Sequence, residues 1–220
     1  MRVINFPFKN ANFSRGTSVF IDACFLLTLL DNKNRKYNDS INVSQQLLNN
    51  NCQLYISPIV SAETVNKLIL ILFIKDVKTF MLNINETLND KENLKLIVAT
   101  FSEKDKDILT KNIKNYPYKI NFKDHFDKIY KAGNSNLLEV YFQNAIKLEK
   151  ILENKLHIKY VSINKQTVIN ARDYISQDLM GVNDAFHIAI AVQNNIDYLL
   201  TLDKDFKRIK CNSKVSILKI

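Results

Sequence analysis

Glycine and proline are scarce in this chain of 220 residues, at three each. Few tight turns can be built from so little, which argues against an all-β barrel or sandwich. Cysteine is equally rare. Cys24, Cys52 and Cys211 lack the close pairing of a zinc knuckle or a C-x-x-C redox motif. An odd count of cysteines suggests a reducing, intracellular setting. Long hydrophobic runs are missing as well. The longest, Leu68 to Ile74, is seven residues between Lys67 and Lys75, against the roughly 20 of a membrane span. Met1 to Gly16 holds no apolar core of signal-peptide length. These absences exclude a membrane protein.

What is present describes an ordinary globular chain, 46% hydrophobic and 24% charged. Lys plus Arg number 31 against 22 acids, for a net charge of +9. Such an excess favours an anionic partner, of which nucleic acid is the commonest. A Lys- and Asn-rich composition imposed by an AT-rich genome would produce the same excess, so charge alone decides nothing.

Periodicity supplies the architecture. Val19–Ile21 predicts a short apolar strand ending at Asp22, with a helix from Cys24 to Leu30. A second helix is expected over Ile41–Leu48, then a strand at Leu54–Ile56. Ser57-Pro58 starts a helix running to about Ile74, Ser57 being its cap. Towards the C-terminus, Ile158–Ile163 alternates as a strand and Gln166–Ile175 follows as a helix. Asn183–Asn194 carries an apolar stripe at 185, 188, 189 and 192. Strands are expected at Tyr198–Leu202 and Val215–Leu218. Short apolar strands alternating with helices predict an α/β fold with a central parallel sheet covered on both faces. Between 76 and 155 only helical patterns occur, with Leu137, Tyr141, Leu148 and Leu152 sharing one face. The expectation is one domain over 1–220, with a core at about 16–75 and 156–220 and a helical insertion at 76–155.

Four carboxylates fall where open α/β sheets place chemistry, at the carboxyl ends of strands. Asp22 and Asp203 directly follow predicted strands. Glu63 and Asp184 lie in the first turns of predicted helices. Four carboxylates converging on one sheet edge would repel unless divalent cations neutralised them. Hard oxygen donors without a His or Cys cluster select Mg²⁺ or Mn²⁺ over zinc.

Val19-Phe20-Ile21-Asp22-Ala23 resembles the opening strand of the PIN-domain nucleases. Tyr55-Ile56-Ser57-Pro58-Ile59-Val60-Ser61-Ala62-Glu63 resembles their second acidic motif. Val182-Asn183-Asp184-Ala185-Phe186-His187-Ile188-Ala189-Ile190-Ala191 is similar to the third, and Leu199-Leu200-Thr201-Leu202-Asp203-Lys204-Asp205-Phe206 to the fourth. Together, in this order, they cover about 16–74 and 156–220. Cys24 departs from the pattern, standing where the family commonly has a small polar residue.

The resemblance implies a PIN-like fold and a cytoplasmic Mg²⁺- or Mn²⁺-dependent endoribonuclease. Asp22, Glu63, Asp184 and Asp203 would be its catalytic and metal-holding groups. In-line hydrolysis would leave a 5′-phosphate and a 3′-hydroxyl. The family includes VapC-type toxins as well as RNA-processing enzymes, so a cognate antitoxin and a homodimer are implied partners of the toxin branch, beside RNA. The alternative reading is a catalytically inactive PIN-like RNA-binding module.

Bland readings stand beside these. Asp22 and Asp184 suit helix N-termini for dipole reasons alone. Asp205 rivals Asp203 and is read as a cap for the short helix Phe206–Ile209. His187, three residues after Asp184, reads as a packing or supporting histidine, while His125 and His157 read as structural or surface residues. Thr201 and Ser57 read as strand-end hydrogen-bonding groups, and Cys24 as a buried, apolar-like residue. Phe122, Phe126, Ile129 and Tyr130 share a helical face. They read as a core stripe before an RNA platform, despite the lysines between them. Lys204, Lys207 and Arg208, close to Asp203 in sequence, are the better phosphate contacts.

Overall fold

The computed structural model describes residues 2–84, 86–111, 119–203 and 215–220. The chain divides into two compact units, one of residues 1–64 and 150–220, the other of residues 65–149.

The first unit is built on a parallel sheet. Its strands are β1 (Val3–Asn5), β2 (Ser18–Ile21), β3 (Gln53–Ile56), β4 (Lys159–Tyr160), β5 (Tyr198–Thr201) and β6 (Ser216–Lys219), in the spatial order β1-β6-β5-β2-β3-β4. Every neighbouring pair runs parallel. Strands covered on both faces must be apolar throughout, and Val19, Phe20, Ile21, Leu199, Leu200 and Ile217 are all fully buried.

The chain begins as β1 at one edge, crosses to β2 and moves outward through β3 to β4. It then returns to the other side of β2 as β5 and continues to β6. The direction of winding therefore reverses between β2 and β5, and open α/β sheets bind ligands at the carboxyl end of such a reversal. Register places Ile21 beside Leu200, and the Asp22 amide donates to the Leu200 carbonyl at 3.1 Å. Asp22 and Thr201 thus emerge side by side.

Helices supply the crossovers. α1 (Ala23–Thr28) and α2 (Tyr37–Asn49) join β2 to β3, and α3 (Pro58–Met81) leaves β3. Pro58 opens α3, where its missing N–H costs nothing, and Ser57 Oγ accepts from the Val60 amide at 3.3 Å. α8 (Lys165–Asp178) starts at a capping box of Asn164 and Thr167, and α9 (Val182–Gln193) leads into β5. Ala171, Ala185 and Ala189 are fully buried between these two helices, small side chains that let them pack closely.

The second unit contains the remainder of α3, then α4 (Lys91–Ala99), α5 (Glu103–Lys111), α6 (Phe122–Lys131) and the start of α7 (Glu139–Leu156). No strand occurs among its described residues. Its interior is organised by Asp76, 2% exposed, whose carboxylate accepts from the amides of Leu88 and Asn89 and from the Tyr141 hydroxyl at 2.7, 3.0 and 2.8 Å. A buried carboxylate is tolerable only with such donors. Phe126 packs edge-on against Phe73, and Ile129 is buried, as a core stripe requires, although Tyr130 is exposed. The lysines of this stretch are matched by acids one turn away, Lys123 with Asp127 and Lys128 with Asp124. His125 stacks on Phe101 with its Nε2 3.5 Å from Asp105.

Two sequence expectations need adjusting. Of the expected strand over 158–163, Lys159 and Tyr160 form the edge strand β4 and the Val161 amide still donates to the Ile56 carbonyl at 2.9 Å, after which the chain turns away towards the Asn164 cap. β1 was not expected at all, being three residues long and paired with a strand at the opposite end of the chain.

Candidate active site at the carboxyl edge of the sheet

Asp22 stands at the N-cap position between β2 and α1, with its side chain turned to other partners, and is 6% exposed. Its Oδ2 accepts two hydrogen bonds, from the Cys24 thiol and from the Thr201 hydroxyl, both at 2.8 Å. Burial next to the Asp22 carboxylate pushes the Cys24 thiol far above its ordinary pKa, which keeps it a neutral donor. Cys24 is therefore a working polar group rather than an apolar filler. Its sulfur also accepts from the Leu202 amide at 3.3 Å. Thr201, fully buried, accepts from the Asp203 amide at 2.9 Å. One hydroxyl thus ties the acid after β2 to the backbone carrying the acid after β5.

With Oδ2 committed, Oδ1 of Asp22 faces the rest of the site. His187 Nε2 lies 3.4 Å from it and 3.6 Å from Glu63 Oε2. Glu63, one turn into α3, is 17% exposed at its side chain, and the Asn183 amide donates to its Oε2 at 3.4 Å. His187 is 1% exposed, with its ring centroid 5.9 Å from that of Phe20. Ligand-capable atoms of Asp22, Glu63 and His187 all lie within 4.8 Å of one another. Two ligands of one ion, each about 2.0–2.2 Å from it, are roughly 3–3.6 Å apart. The donor chemistry fits a divalent cation, and so do the two separations from His187 Nε2.

The four acids named from sequence are placed as follows. Asp22 and Glu63 meet. Asp184 sits in the first turn of α9, where the helix dipole favours a carboxylate. A Cβ at the N-cap Gly181 would lie 3.3 Å from Asp184 Oδ2, so the glycine leaves room for it. Asp203 follows β5 at the same sheet edge. The close trio comprises Asp22, Glu63 and His187, without Asp184 or Asp203. Lys204, Lys207, Arg208 and Asp205 lie outside the described residues.

His187 and Asn183 were the residues undervalued from sequence. A signal existed: His187 is a polar residue on the buried stripe of α9, three residues from Asp184.

Fold and site together define an α/β protein with a cation-binding type of cluster at the reversal point of a parallel sheet. The PIN-domain family model matches residues 129–211, a stretch containing the third and fourth acidic motifs. Over this stretch the chain is similar to the PIN domain, a domain of nucleases that are usually metal-dependent hydrolases. No curated protein matches the chain significantly. Among the described residues, no helix is long and apolar enough to cross a membrane.

Proposed function

We propose that the protein is a Mg²⁺- or Mn²⁺-dependent endoribonuclease in which Asp22, Glu63, Asp184 and Asp203 hold the ion, directly or through water. The observation that carries this reading is the meeting of Asp22 and Glu63, from separate elements, at the sheet's reversal point. A bound divalent ion supplies Lewis-acid activation of water and offsets charge developing on phosphoryl oxygens.

The chain's own groups prepare that chemistry. Cys24 and Thr201 hold Asp22 by one oxygen, so that the other is presented without rotamer freedom. Asn183 steadies Glu63. The link from Thr201 to the Asp203 amide fixes the start of the segment that carries Asp203. Lys204, Lys207 and Arg208 follow in the chain and supply phosphate contacts. The role of cytoplasmic toxin, with an antitoxin and a homodimeric state, rests on the resemblance alone.

Incubating the purified chain with single-stranded RNA and Mg²⁺ or Mn²⁺ tests the reading. Cleavage that stops on chelation is expected. Equal cleavage in excess EDTA refutes the ion's role, and RNA binding without cleavage under any divalent ion indicates the non-catalytic module instead.

A further inference from the structure

The acidic motifs describe an all-oxygen site, yet the structure puts an imidazole nitrogen in it. Nε2 of His187 is 3.4 Å from Asp22 Oδ1 and 3.6 Å from Glu63 Oε2. Both separations are longer than the usual 2.7–3.2 Å of an N–H···O hydrogen bond, so strong hydrogen bonding does not account for the placement. They do match the spacing of two ligands around one ion. The ring is 1% exposed, and its Nε2 is turned towards two carboxylates from an otherwise apolar helix stripe.

We propose that His187 is itself an ion ligand through Nε2, beside Asp22 and Glu63, and that this nitrogen biases the site towards Mn²⁺, Co²⁺ or Zn²⁺ over Mg²⁺. The inference rests on the ion-dependent reading of the same site. Imidazole suits transition ions, whereas Mg²⁺ takes oxygen donors and keeps much of its water. Mixed N,O,O donors therefore separate ions that four carboxylates would treat alike.

The far nitrogen sets the strength. Nδ1 of His187 is buried with no hydrogen-bond partner. Metal-bound histidines usually donate that second N–H to an outer acceptor, and losing such a partner typically weakens binding by 10–100-fold. The site is accordingly a weak binder of transition ions, and selectivity rather than tight affinity is its signature.

Pulsed electron paramagnetic resonance of the full chain loaded with Mn²⁺ tests this directly. Bound Mn²⁺ should show nitrogen coupling of ¹⁴N type, replaced by the ¹⁵N pattern when histidine is labelled with ¹⁵N. His187→Ala, checked for folding by circular dichroism, should lose the coupling and bind Mn²⁺ about tenfold or more weakly, with Mg²⁺ affinity unchanged. Should that variant fail to fold, the isotope comparison on the parent decides alone. Bound Mn²⁺ without histidine coupling, no Mn²⁺ binding at all, or unchanged Mn²⁺ affinity in a folded His187→Ala each overturns the proposal. Cleavage without nitrogen coupling removes this inference and leaves the nuclease reading. Nitrogen coupling without cleavage does the reverse.

Discussion

Replacing Thr201 with valine keeps the branched shape that a buried strand end needs and removes only the hydroxyl. That hydroxyl donates to Asp22 Oδ2 at 2.8 Å and accepts from the Asp203 amide at 2.9 Å. A buried hydrogen bond to an ionised group contributes about 1.5–3 kcal/mol. The Asp203 amide is half-buried, so water replaces its lost acceptor and adds less than about 1 kcal/mol. The net cost is about 1.5–4 kcal/mol. For a chain of this length that lowers the melting temperature by roughly 3–16 °C. The second consequence is functional. Asp22 would keep only the Cys24 thiol on Oδ2 and gain freedom to rotate, and losing such an outer-shell donor weakens ion binding by roughly 10–100-fold. Thermal melting without metal and Mn²⁺ titration by calorimetry measure the two effects separately. Thr201→Ser, which restores the donor, should recover ion affinity towards the parent value. If Thr201→Val binds Mn²⁺ like the parent, Thr201 does not position Asp22 and the reasoning fails.

Asp22→Asn and Asp184→Asn should each reduce RNA cleavage to background while the far-ultraviolet dichroism stays that of the parent; turnover preserved in both variants would show the site to be elsewhere. Burial, and then the hydrogen bond to Asp76, push the Tyr141 hydroxyl well above the ordinary tyrosine range. The folded chain therefore keeps a proton that the unfolded chain releases near pH 10, and this stabilisation is present below about pH 10 and lost above it. Tyr141→Phe should cost about 1.5–3 kcal/mol at pH 7 and fall less steeply in alkali, as urea denaturation at the two pH values would show; equal stability at pH 7 contradicts the accounting. If three to five phosphate contacts hold RNA, log K should fall against log salt with a slope of roughly 2–3.5. Neutralising Lys207 and Arg208 together should lower that slope by roughly one to two units, and an unchanged slope would assign the basic excess to composition alone.

Strands β2, β3 and β5 were legible because burial on both faces leaves an uninterrupted apolar run, and Val19–Ile21, Leu54–Ile56 and Tyr198–Leu200 are such runs. α9 was legible from its stripe, and α3 from Ser57-Pro58. Asp22, Glu63, Asp184 and Asp203 could be singled out because each follows a strand end or opens a helix. β1 and the true extent of β4 were not legible, since an edge strand with one neighbour carries little burial pattern and its pairing partner is distant in sequence. Nor could the sequence tell that Cys24 would donate to Asp22, or that His187 rather than a third acid would complete the closest trio. Both depend on where side chains from β2, α3, α9 and β5 point once the sheet has brought them to one edge. Local patterns record which residues avoid water, because that preference acts on each residue in its own turn or strand. Which polar atoms then face one another is decided by the strand order, since only the reversal between β2 and β5 brings chain segments so far apart in sequence within reach of a single ion.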